Sequence, residues 1–239
     1  MKCMKEESMN QIKMEDLEQK INSQYANTTG IVIIKDGIVS YEKYFKGCTA
    51  ESRVHVYSVT KSVISILLGI ALDKGYIKNI EEKVLDYFPE YKVKRGEKKI
   101  QNITLRDILT MTAPYKYRLF APYIKYFTSS DWVEFSLDLL GGRGKVGTFR
   151  YAPLIGPDIL SGILVRATGQ SVLEFAAENL FEPLGIKVEN NLLFESKEEQ
   201  MAFNQSTDTS MTHTNYHYVS RRINFRPARR RREAMRWHR

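Results

Sequence analysis

Ser58-Val59-Thr60-Lys61 places a hydroxyl and an amine three residues apart. On a helix, positions i and i+3 share a face within hydrogen-bond reach, so a lysine so placed can take the proton of the serine. The serine then becomes a nucleophile toward an ester or amide carbonyl. The amine must be neutral part of the time, a state that burial and neighbouring positive charge favour. A serine in the first helical turn also offers its own backbone N–H, which the helix leaves unused, as one donor of an oxyanion hole.

The spacing alone is weak, because a chain with 16 Ser and 20 Lys yields about one Ser-x-x-Lys by chance. A second copy, Ser40-Tyr41-Glu42-Lys43, falls on a segment that reads as a strand. There, i and i+3 point to opposite faces, so the pair cannot cooperate. The bland reading of the first copy is a helix N-cap followed by a surface lysine.

The elements around the pair decide between these readings. Residues 8 to 25 carry Met14, Leu17 and Ile21 at helical spacing, and predict an amphipathic helix. GIVII at 30 to 34, Asp36-Gly37, and IVSYEKYF at 38 to 45 predict a hairpin. From Ser58 to about Tyr76 the pattern is helical and apolar nearly all round, which predicts a helix buried on most sides and stopped at Gly75. Further helices are expected at Ile80 to Tyr87, at Thr104 to Met111 with Thr104 as N-cap, at Ser130 to Leu140, at Pro157 to Ala167 and at Ser171 to Leu180. An antiparallel sheet begun by the hairpin, with flanking helices and a helical region, is an α+β fold.

In order and spacing, HVYSVTKSVISILLGIALDKGYI, EEKVLDYFPEY, ITLRDILTMTA and GTFRYAPLIGPDILSGILVRATGQSVLEFAAENLFEPLGI resemble the β-lactamase-related serine hydrolases, the class C β-lactamase and penicillin-binding-protein family, over some 150 residues. The resemblance implies Ser58 as nucleophile with Lys61 beside it. It also implies Tyr151, at the place of the family's Tyr-x-Asn motif, as a proton-handling phenol. Pro153 stands where that motif has Asn, so the side-chain amide that usually meets the substrate is missing or supplied elsewhere. Tyr25-Ala26-Asn27 spells the motif but precedes the serine. The third motif, Lys-Thr-Gly or a His-containing relative on a late strand, is absent; His213-Thr214-Asn215 comes too early for it. The implied reaction is cleavage of an ester or amide through an acyl-enzyme on Ser58. The alternative within the family is a catalytically inactive or truncated member.

Net charge is +8, all of it in residues 213 to 239, which hold nine Arg against Glu233; the first 212 residues sum to zero. The expected division is therefore a partial hydrolase domain over 1–212 and an irregular Arg-rich tail over 213–239, with a truncated or altered end after about Met211. A less favoured reading from a different class is a nucleic-acid-binding protein whose Arg-rich tail grips phosphates while Trp237 and Phe225 stack on bases. Cys3 and Cys48 offer no disulfide framework or metal-ligand spacing, and no P-loop, G-x-G-x-x-G or G-x-S-x-G occurs, so neither metal nor cofactor is expected. The apolar run Val63 to Leu72 is half the length of a membrane span, and the N-terminus has no apolar signal core. The expected partner is a small-molecule ester or amide, and the expected compartment the cytoplasm.

Overall fold

A computed structural model describes residues 2–50, 52, 58–117, 122, 125–126, 128–152 and 155–186. The chain divides into two compact units between Val54 and His55.

The first unit holds helix α1 (Lys2–Gln24) and strands β1 (Gly30–Lys35) and β2 (Ile38–Tyr44). Met14 and Leu17 are half-buried and Ile21 is buried, as their spacing predicts. Glu18 on the same helix accepts a hydrogen bond from Tyr41 (2.9 Å) and pairs with Lys43 (3.3 Å). Asp36 and Gly37 turn the hairpin with φ of 50° and 74°. Two consecutive positive φ values make the mirror-image turn whose twist suits paired strands, and Gly37 adopts its share without Cβ strain. The register slips between Ile33 and Ile34, opposite Ser40, whose hydroxyl donates to the Ile33 carbonyl. Ser40 and Lys43 thus have separate partners, as expected for a pair on a strand. Among the described residues the sheet has two strands.

The second unit is helical. α2 (Val59–Asp73) ends at Lys74 and Gly75, where the Gly75 φ of 78° and N–H bonds back to Ile70, Leu72 and Ala71 close the C-terminus. α3 (Leu105–Leu109), α4 (Trp132–Leu139), α5 (Ile155–Thr168) and α6 (Val172–Ala176) follow, the last running into a π-type turn over Ala177–Phe181. α5 is the central element and packs on α2, α3, α4 and α6. Its fit against α4 is close: a Cβ at Gly162 would stand 3.1 Å from the Val133 side chain and 3.2 Å from that of Phe88.

Two expectations are corrected. Residues 80 to 87 form a helix only over Val84–Tyr87, a 3-10 turn. The backbone of 80 to 84 bonds instead to the 103 to 106 segment: Arg106 N–H to Ile80 O, Leu105 N–H to Glu82 O, and Val84 N–H to Ile103 O. Those groups are then committed away from the helical i to i+4 pattern. α2, expected to be buried on most sides, keeps one stripe open: Val59 and Ile66 are about half exposed, and Ser62 and Gly69 are exposed. The opposite face carries the core, with Ile64, Leu67, Leu68 and Ala71 buried against Ile159, Ile163 and their neighbours.

Thr104 caps α3 as anticipated. Its hydroxyl accepts from the Asp107 N–H and donates to the Asp107 carboxylate (3.0 Å), which in turn accepts from the Thr104 N–H (3.0 Å). This reciprocal box satisfies donors that the helix start leaves open. Thr104→Ala is expected to lower stability by about 1 kcal/mol. The check is a lower urea midpoint with an unchanged denaturant slope.

Candidate active site

Ser58 sits at the N-cap position of α2 with helical angles, φ −69° and ψ −8°, and its side chain makes no capping bond. The bland reading of this serine fails on that point. Its Oγ lies 2.8 Å from the Tyr151 hydroxyl and accepts a hydrogen bond from Lys61 Nζ at 3.1 Å. The i, i+3 spacing on α2 delivers the amine to the hydroxyl.

Tyr151 arrives from the loop before α5, and its neighbours fix it. The Arg150 N–H donates to the Met111 carbonyl (2.7 Å), and the Arg150 guanidinium lies over the Tyr117 ring at 4.5 Å. Ala152 is buried, so the backbone is anchored on both sides of the phenol. Met111 itself holds φ 56°, an uncommon conformation for a side chain of its size. Lys61 Nζ stands 5.3 Å from the centroid of the Tyr151 ring. The hydrogen bond from Ser58 holds the Tyr151 phenol below its ordinary range; desolvation opposes this, and the charge and hydrogen bond of Lys61 add to it. Ser58 and Tyr151 are exposed and Lys61 is half-buried, so a reactant can approach the hydroxyl from solvent.

The three residues singled out in the sequence are therefore assembled in one place. Sequence reasoning missed Asp158. It is fully buried on α5, where its Oδ2 accepts from the Tyr126 hydroxyl at 2.6 Å and from Ser136 at 3.4 Å. Burial pushes this carboxyl up to about 8, against the two hydrogen bonds and the positive charge of Lys61. The signal was present: Asp158 is the lone charge in the run Ile155 to Leu164, which is apolar but for Ser161. Also unforeseen was a small cavity between α2, α3 and α5, lined in part by Lys61 and Ala152. Tyr25 lies just after α1 in the first unit, and His213-Thr214-Asn215, Pro153 and the Arg-rich tail lie outside the described residues. Among the described residues no cluster of His, Cys, Asp or Glu could hold a metal, and no helix is long and apolar enough to cross a membrane.

The family model for Beta-lactamase matches residues 14–207. The chain belongs to the beta-lactamase family. The α+β architecture, with a small antiparallel sheet and a helical region, agrees with that membership, as do solved structures at 18–20% identity. A class C beta-lactamase mutant is 20% identical with a TM-score of 0.60, over 82% of this chain and 54% of that one. A protein described as a beta-lactamase from Bacteroides dorei is 18% identical with a TM-score of 0.59, over 85% of this chain and 66% of that one. A protein described as a 6-aminohexanoate-dimer hydrolase from Bacillus anthracis is 19% identical with a TM-score of 0.53, over 66% of this chain and 45% of that one. These likenesses are of fold, and the chain spans between 45% and 66% of the length of these three structures. No curated protein matches the chain. Beta-lactamase family members are serine hydrolases that work through an acyl-enzyme, and the Ser58 cluster has the groups for that chemistry.

Proposed function

We propose that this chain is a serine hydrolase that cleaves a small ester or amide through an acyl-enzyme on Ser58. One observation carries the reading: the Ser58 hydroxyl is within hydrogen-bond distance of both Lys61 and Tyr151 while its face stays open to solvent.

The directions of those bonds suggest a division of labour. An ammonium can only donate, so Lys61 occupies a lone pair of Oγ; with Tyr151 as its phenolate, which can only accept, the serine proton points to Tyr151. A phenol held below its ordinary range is suited to accept that proton as Oγ attacks the carbonyl. The C–O or C–N bond then breaks, and the proton passes from Tyr151 to the leaving alkoxide or amine. Water adds to the acyl-enzyme by the reverse route and releases the acid. Lys61 stabilises the phenolate in both halves and relays the proton where the amine is neutral.

The test is labelling of the purified chain with a fluorophosphonate and with a β-lactam probe, using Ser58→Ala as control and locating the adduct by peptide mass. An adduct on Ser58, lost in the variant, is the expected result. A folded protein that takes up neither probe overturns the reading and leaves a family member without turnover.

A further inference from the structure

We infer that Met111 is a positioning residue for the proton-transfer groups: its strained backbone carries the Tyr151 segment, and its side chain keeps that segment in place against Lys61. This inference goes beyond the acyl-enzyme reading of Ser58 and rests on it.

Met111 stands at the end of α3. Its N–H bonds back to the Ile108 carbonyl (3.1 Å) and the Thr112 N–H to that of Asp107 (2.8 Å), with Met111 at φ 56°. This pair of bonds closes a helix through one left-handed residue, a place that ordinarily goes to glycine. Elsewhere in the second unit the chain follows that habit: Gly75, Gly141 and Gly169 hold positive φ at the ends of α2, α4 and α5. Among the described residues of that unit, Met111 is the one side chain in the left-handed region. A Cβ there crowds the following carbonyl, so glycine would suit the turn better. Strain kept where an easier residue exists points to a use at the site the turn supports.

What the turn holds shows that use. The Met111 carbonyl accepts the Arg150 N–H at 2.7 Å, and the Thr112 carbonyl accepts the Gly147 N–H at 3.1 Å. Arg150 immediately precedes Tyr151, so these two bonds set where the phenol meets Ser58 Oγ. Glycine at 111 would keep both carbonyls but not the side chain. Met111 is half-buried and lines one cavity wall together with Lys61 and Ala152, the residue after Tyr151. A thioether chain fills an irregular gap of that kind and stops its two sides from shifting. Glycine leaves the gap open and also frees the backbone behind the Arg150 bond, because it populates either sign of φ.

The experiment measures Ser58 acylation by a fluorophosphonate from pH 6 to 10 on the full chain and on its Met111→Gly and Met111→Leu variants, with urea midpoints to confirm folding. Met111→Gly is expected to stay folded, since relief of the turn offsets the lost side-chain contacts, and yet to acylate about 10-fold more slowly or worse. Its rising limb moves to higher pH, because a Tyr151 held less firmly against Ser58 and Lys61 loses the contacts that keep its phenol down. Met111→Leu keeps both the strain and the hydrocarbon volume and stays within about threefold of the parent. A Met111→Gly protein as fast as the parent makes Met111 a helix stop alone and overturns the inference. So does one that is slower with an unshifted profile, or a Met111→Leu protein as slow as the glycine variant. In each of those outcomes the parent still takes the label and the acyl-enzyme stands; a parent without a Ser58 adduct overturns both.

Discussion

Lys61→Met is expected to slow acylation of Ser58 by a factor of about 10²–10⁴, the range over which a positioned proton-transfer group acts. Methionine keeps much of the length and hydrocarbon volume of lysine, so the half-buried stem stays packed on α2 and only the amine is lost. Two effects then combine. The Ser58 oxygen loses the donor that occupies one of its lone pairs. Tyr151 loses the charge and hydrogen bond that help hold its phenol down, while the Ser58 bond and the opposing desolvation remain. With a lowered phenol pKa the base form is populated as pH rises through that value. Without Lys61 the pKa climbs, so the rising limb of the acylation profile moves to higher pH and the loss is greatest near neutrality. Labelling rates from pH 6 to 10, with the urea midpoint as a folding control, measure this. A variant within about threefold of the parent, with an unshifted profile, removes Lys61 from the proton path.

The parts of this site that were legible in the sequence are those with local spacing. Ser58 and Lys61 are three residues apart on one helix, and the hairpin turn at Asp36-Gly37 and the cap at Thr104 are set by residues within a few positions of each other. Tyr151 is 93 residues from Ser58, and no periodicity joins them; only the family resemblance brought it in. The 80 to 87 segment misleads for a related reason. Its apolar spacing permits a helix, but its N–H and C=O groups bond to the 103 to 106 segment, a competition that a local pattern cannot register. The open stripe of α2 mixes Ile66 and Val59 with Ser62 and Gly69, and composition alone does not say which face of an apolar helix is covered. Asp158 was visible as a charge in an apolar run, but its partners Tyr126 and Ser136 lie 32 and 22 residues away.

Asp158→Asn is expected to stabilise the fold at neutral pH, by an amount that depends on pH in a defined direction. Burial raises this carboxyl from an ordinary 3.8 to about 8, so the folded chain keeps a proton that the unfolded chain has lost across that window. Stability therefore falls as pH rises from about 4 to about 8, and levels off above; below 4 both states are protonated and nothing is lost. At pH 7 the deficit is on the order of 4 kcal/mol. An amide has no proton to lose, and its oxygen can still accept from the Tyr126 hydroxyl. Its nitrogen replaces Oδ1, which has no partner among the described residues. The neutral acid puts its own O–H at the same spot, so this cost is common to both proteins and largely cancels. Urea midpoints should then coincide near pH 4 and diverge in favour of the variant toward pH 8; parallel profiles would remove the buried ionisation from the account. Ser58 labelling on the same pair of proteins separates two roles for the carboxyl. A variant that acylates more slowly above about pH 8, where the carboxyl is ionised, has lost a group whose charge acts on Lys61, whereas one that is equally reactive at every pH shows that Asp158 acts on folding alone.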